Sequence, residues 1–112
     1  RLDAAKWIAQ YRGQYGSGAP RAFSLFAYAK ALLEVSKSPE LAIRQYAKSF
    51  WFANPKFDSC LHSAAANNAA VLAYELGNSQ KAHSYFSSAL NVRDKQCQGV
   101  ISARKNLEIV TH

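Results

Sequence analysis

The chain has 112 residues, of which 49% are apolar, 12% aromatic and 19% charged, a size and composition that suit one compact domain and exclude two independent ones. Fourteen Lys and Arg against seven Asp and Glu leave a net charge of +7, which favours acidic partners such as nucleic acid, anionic lipid or an acidic protein segment. Every apolar stretch, Ala22–Val35 included, is broken by Lys, Arg or Glu within about 18 residues, so no segment reads as a transmembrane span. Met is missing at position 1 as elsewhere, which reads as a mature or excised chain.

Gly and Pro punctuate the sequence at Gly13–Pro20, Ser38-Pro39, Asn54-Pro55, Gly77-Asn78 and Gly99. Between them lie helix-length segments rich in Ala, Leu, Gln, Lys and Glu without strand-like alternation, so the expected class is all-α. A first helix is expected from about Ala4 to Arg12, with Asp3 as N-cap and Trp7, Ile8 and Tyr11 on one face. The Gly13–Gly18 stretch lacks the Lys-Ser/Thr and the preceding strand of a phosphate loop and reads as a linker. Pro20 opens a second helix reaching about Ser36, with Phe23, Phe26, Ala27, the Lys30 stem and Leu33 turned inward. Ser38 as N-cap and Pro39 in the first turn begin a third helix ending near Ala53, with Ile43, Tyr46, Ala47 and Phe50 inward. A fourth runs from about Asp58 to Leu76 and stops at Gly77-Asn78. Ser79 caps a fifth reaching about Asn91, and a sixth spans about Gln98 to Val110.

Two of these hairpins carry the same order of side chains, Ala42, Tyr46, Ser49, Phe50 and Ala82, Phe86, Ala89, Leu90, each pair 40 residues apart. A small residue admits close approach of the hairpin's other helix, the aromatic one turn later fills the groove, and the next small residue receives a neighbour. The stretch Asn68–Leu90, with its turn Gly77, small Ala82, aromatic Phe86 and Ala89, resembles a tetratricopeptide repeat. Phe23–Pro55 resembles a looser copy: Ala42, Tyr46 and the closing Pro55 match, Lys37 stands in place of the turn Gly, and Ser49 replaces the last Ala. The displacement exceeds the family's repeat of about 34 residues, which implies a fourth helix or preceding loop lengthened by about six.

The resemblance implies antiparallel hairpins stacked as a short right-handed solenoid of about six helices. It divides the chain into a capping helix and Gly-rich loop (1–20), two hairpins (21–56 and 57–92) and a C-terminal cap (93–112). It also implies a non-catalytic adaptor or scaffold that takes a peptide or helix of another protein on its concave face. Asn67, Asn68, Val71, Tyr74 and Glu75 would lie on that face, with Arg104 and Lys105 beside them. Ala27 and Ala31 stand where a carboxylate clamp would want Lys and Asn, so that clamp is incomplete. Asn67 and Asn68 read equally well as interhelical hydrogen-bond partners.

Phe50-Trp51-Phe52 cannot all face one core. Trp51 and Phe52 form either an apolar docking patch or a cover packed under the Asn54–Phe57 loop or against the first helix. Cys60 and Cys97 lie near the starts of neighbouring helices, within reach of a disulfide; two buried thiols are the alternative. A disulfide would indicate an extracytoplasmic compartment, and free thiols a cytoplasmic one. Cys60, His62 and His83 do not converge as metal ligands or as a nucleophilic pair, and the carboxylates form no acid–base couple, so neither metal, cofactor nor catalysis is expected. Cations strewn singly, with Arg104-Lys105 the one adjacent pair, argue against nucleic acid. The rival readings are binding of nucleic acid or an anionic membrane through the basic surface, and an accessory role beside a larger enzyme or envelope complex.

Overall fold

The computed structural model describes Leu2, Ala4, Ala5 and residues 19–111. Five helices and no strand occur among them: α1 (Ala19–Val35), α2 (Pro39–Phe52), α3 (Ser59–Glu75), α4 (Ser79–Leu90) and α5 (Gln98–Val110). The helix expected over Ala4–Arg12 is not seen at Ala4 and Ala5, which are not helical, and its other residues lie outside the described ones.

Three-residue turns join α1 to α2 and α3 to α4, so each pair folds back on itself as a hairpin. The two turns share a backbone device. Gly77 has φ 88° and Lys37 has φ 52°, so the residues 40 apart both enter the left-handed region that stops a helix. Lysine is strained there and glycine is not, so Lys37→Gly is expected to raise stability by about 0.5–1 kcal/mol, read as a higher urea midpoint with unchanged slope. The start of α4 falls one residue earlier than Ser79 capping requires: Asn78 is the cap, its Oδ1 accepting the Lys81 N–H at 3.0 Å.

The small and aromatic positions shared by the hairpins are interior in both. Ala42, Tyr46 and Ser49 of α2 and Ala82, Phe86 and Ala89 of α4 are all buried. Ser49 is no defect in the pattern, since its hydroxyl donates to the Ala22 carbonyl of α1 at 2.8 Å, a buried bond that ties the hairpin together. Phe26 meets Tyr46 edge-on at 5.1 Å in the same layer. On α1, Ala22 and Ala29 are the buried small residues, whereas Ala27 faces solvent, contrary to the inward stripe expected for it.

Helix α3 is the hub, packed against α2, α4 and α5 and touching α1 lightly. Its Asp58–Glu75 interval holds no Lys or Arg and is dominated by Ala, Ser and Asn, so several sides of the helix accept close neighbours. Closest of all is α5: a Cβ built on Gly99 would run into the backbone at Ser63 and Ala64. A six-residue connection, 53–58, joins α2 to the 17-residue α3. There Asn54 Oδ1 accepts the N–H groups of Lys56 and Phe57 at 2.8 and 3.1 Å, an Asx turn. This connection pairs with the one between α4 and α5: the Arg93 N–H donates to the Pro55 carbonyl at 3.0 Å, and the Asp94 N–H to Ser59 Oγ at 3.1 Å. Beside this contact Cys60 and Cys97 are joined, with sulfurs 2.10 Å and Cα atoms 4.9 Å apart. No described helix is long and apolar enough to cross a membrane.

Candidate functional site: a groove with an asparagine at its floor

Asn67 and Asn68 are consecutive on α3 and therefore point roughly 100° apart. Asn67 is fully buried, and its Oδ1 accepts Asn106 Nδ2 of α5 at 3.1 Å, an interhelical bond inside the protein. Asn68 faces the other way. Its Oδ1 accepts the Ala5 N–H at 2.7 Å and its Nδ2 donates to the Ala5 carbonyl at 3.3 Å, so one carboxamide holds both polar groups of one residue. The Tyr46 hydroxyl, from α2 beneath, also hydrogen-bonds the Asn68 side chain. Burial pushes the Tyr46 phenol above its ordinary value, with that bond acting in the opposite sense. Tyr46 therefore stays neutral and fixes the carboxamide.

Around Asn68, α1 supplies Phe26, Lys30, Leu33 and Glu34 as one wall. Further along α3, Tyr74 and Glu75 stand with Leu2 and with Ile109 of α5 around a second hollow. The two hollows share α3 as floor, with α1 beside the first and α5 beside the second, and are taken together as the groove. Of the residues expected to bind a partner, Asn68, Tyr74 and Glu75 lie along it. Val71 is buried in the core formed with α4 and α5, and Asn67 is interior. Arg104 and Lys105 are both exposed but are not brought together at the groove: Lys105 stands one turn before Ile109 on the groove flank, and Arg104 is turned roughly 140° from Ile109. The lining carries both signs, Lys30 with Glu34 and Glu75. Lys30, Leu33 and the Tyr46 support were not picked out from the sequence as site residues. Ala27 and Ala31, where the resemblance would place the Lys and Asn of a clamp, do not line the hollow around Asn68.

A second cleft lies between α1 and α2, lined by Arg21, Leu25, Tyr28, Lys48, Trp51 and Phe52 among others. Trp51 is 79% exposed, whereas Phe52 is half-buried with the Arg21 guanidinium 5.0 Å over its ring. Trp51 is thus the aromatic that cannot enter the core, and Phe57 is also exposed.

Among the described residues, the interior holds one acid and one histidine that the groove does not use. Asp58 is fully buried; its Oδ2 accepts the Asn54 N–H at 3.2 Å and its Oδ1 has no hydrogen-bond partner. One turn on, His62 Nδ1 lies 2.8 Å from the Ala53 carbonyl, with Phe50 edge-on at 5.3 Å. Burial pulls the His62 imidazole below its ordinary value, against the raising effects of the Ala53 and Phe50 carbonyls and the Asp58 charge. The unfolded chain therefore binds a proton at higher pH than the folded one. His62 is neutral in both states well above pH 6.5, and stability falls as pH drops from about 6.5 toward the lowered folded value. Urea midpoints measured across this window should decline in the wild type and decline less in His62→Gln; equal slopes would remove His62 as the cause. Cys60, Asp94 and Cys97 cluster with ligand atoms within 4.8 Å, but both sulfurs are committed to each other.

No protein-family model matches this chain, and no curated protein or solved structure matches it either.

Proposed function

We propose that the protein is a non-catalytic interaction module of tetratricopeptide-like build, two stacked hairpins closed by α5, that receives an extended peptide of a partner protein along the groove over α3. The observation that carries this reading is the paired hydrogen bonding of Asn68 to a backbone N–H and C=O, which recognises a peptide in extended form whatever its side chains. The 40-residue register of Lys37 with Gly77, and of Ala42, Tyr46 and Ser49 with Ala82, Phe86 and Ala89, supports the repeat build. The disulfide supports an extracytoplasmic setting. Cations distributed from Arg21 on α1 to Lys105 on α5, with a groove rim of mixed sign, favour a peptide over nucleic acid.

Panning a random-peptide display library on the full chain at high salt tests this. The expected result is a set of enriched sequences whose binding is lost in Asn68→Ala and kept in Trp51→Ala, with both variants retaining the wild-type helical signal. Enrichment that vanishes at high salt, or that depends on Trp51 and not Asn68, would contradict it.

A further inference from the structure

The groove is not empty. Ala5, held by both hydrogen bonds of Asn68, is 4% exposed and belongs to the core cluster of Phe26, Tyr46 and Ala69. Leu2 is half-buried against the cluster that holds Val71 and shares its hollow with Tyr74, Glu75 and Ile109. Asn68 precedes Tyr74 on α3, whereas Leu2 precedes Ala5 along the segment. The segment therefore runs antiparallel to α3, from the Tyr74 end toward Asn68. Ala4, next to Ala5, is exposed.

We propose that Leu2 and Ala5 are built-in occupants of the peptide groove, and that a partner peptide enters in trans by taking the same backbone position when these residues lift out. The inference rests on the peptide-binding reading above and adds its regulation. Three features suit the segment to be displaced. Both polar groups of Ala5 are held by one side chain, so a competing backbone can reproduce that pair of bonds. Ala5 contributes a single methyl group to the core, and Leu2 is only half-buried, so these two residues bury little apolar surface. The Tyr46 hydroxyl holds the Asn68 carboxamide from below, so the clamp stays oriented when the segment leaves. The ligand this selects has a small residue at the clamped position, because Ala5 sits in a buried pocket, and an apolar residue three places earlier, where Leu2 sits.

The test uses the full chain and a capped, fluorescent peptide with the sequence of residues 1–6. Ala5→Trp places in the pocket a side chain that cannot fit, and Ala5→Pro removes the N–H that Asn68 accepts; both expel the segment without altering residues 19–111. A ligand whose site is mostly occupied in cis binds with an affinity reduced by the occupied fraction. Both variants are expected to bind the peptide at least about tenfold more tightly than the wild type, and Asn68→Ala in either background is expected to abolish binding. Exchange of the Ala5 amide hydrogen, slow in the wild type, should become fast in Asn68→Ala. Equal affinities for wild type and both variants, or an unprotected Ala5 amide in the wild type, would overturn the occupancy while library-selected peptides that need Asn68 still uphold the groove. Failure of every variant to bind the peptide would overturn it as well, and the groove reading falls with it only if the library also yields nothing.

Discussion

Reduction of the Cys60–Cys97 bond should lower the unfolding free energy by about 4 kcal/mol, the loop-closure entropy of a 37-residue separation. For a single domain of this size such a loss is a large part of the roughly 5–15 kcal/mol total and shifts the melting temperature by on the order of 15 °C. The effect has a structural address. The bond joins the second residue of α3 to the N-cap residue of α5, beside the Pro55–Arg93 and Ser59–Asp94 contacts that hold the two connecting loops together. Without it α5 is retained by its faces on α3 and α4, so helical content should survive at low temperature while the transition moves down. Cys60→Ala/Cys97→Ala should reproduce the reduced wild type, and Ala is the apt replacement because Cys97 is buried. Coincident melting curves for oxidised and reduced protein would mean that the bond contributes nothing to the fold.

Gly99→Ala should destabilise the protein by about 3 kcal/mol, reversing the usual sign of a helical Gly→Ala change, which elsewhere gains up to about 1 kcal/mol. The reason is the backbone of α3. The added methyl would meet Ser63 and Ala64 main-chain atoms, which cannot rotate away as a side chain could. Relief requires α5 to tilt off α3, which strains the Asn106–Asn67 bond further along the same interface. Gly77→Ala makes the comparison instructive: nothing crowds that position, and its cost is the left-handed φ of 88°, about 1 kcal/mol. A neutral or stabilising Gly99→Ala in urea titration would remove the close α3–α5 approach on which the groove depends.

Helix positions were legible because their boundaries are written in residues with fixed backbone preferences. Pro39 after Ser38, Asn54-Pro55 and Gly77-Asn78 place the ends of α2, α3 and α4 to within a residue or two. Burial of Ala42, Tyr46, Ala82 and Phe86 followed from their repeated spacing. The proximity of the two cysteines was readable from their places at helix starts, whereas their bonding is a matter of a few tenths of an ångström that spacing does not resolve. Asn67 and Asn68 show where sequence reasoning stops. They are chemically identical neighbours, and which one enters the α5 interface and which the groove depends on the rotation of α3, set by Gly99 and Ala70 packing rather than by either asparagine. Arg104 and Lys105 point apart for the same reason, since adjacency in a helix separates side chains by roughly 100°. The contact of Ala5 with Asn68 had no sequence signal at all: it spans 63 residues, and alanine announces no role.

The most direct measurement is a residue-resolved NMR titration of the full chain with the best library-selected peptide. The account predicts shift changes along Phe26–Glu34, from Asn68 to Glu75 including the Asn68 side-chain amide, and on the Lys105 and Ile109 flank of α5. Changes gathered instead on Arg21, Tyr28, Lys48 and Trp51, with the Asn68 amide unmoved, would contradict it.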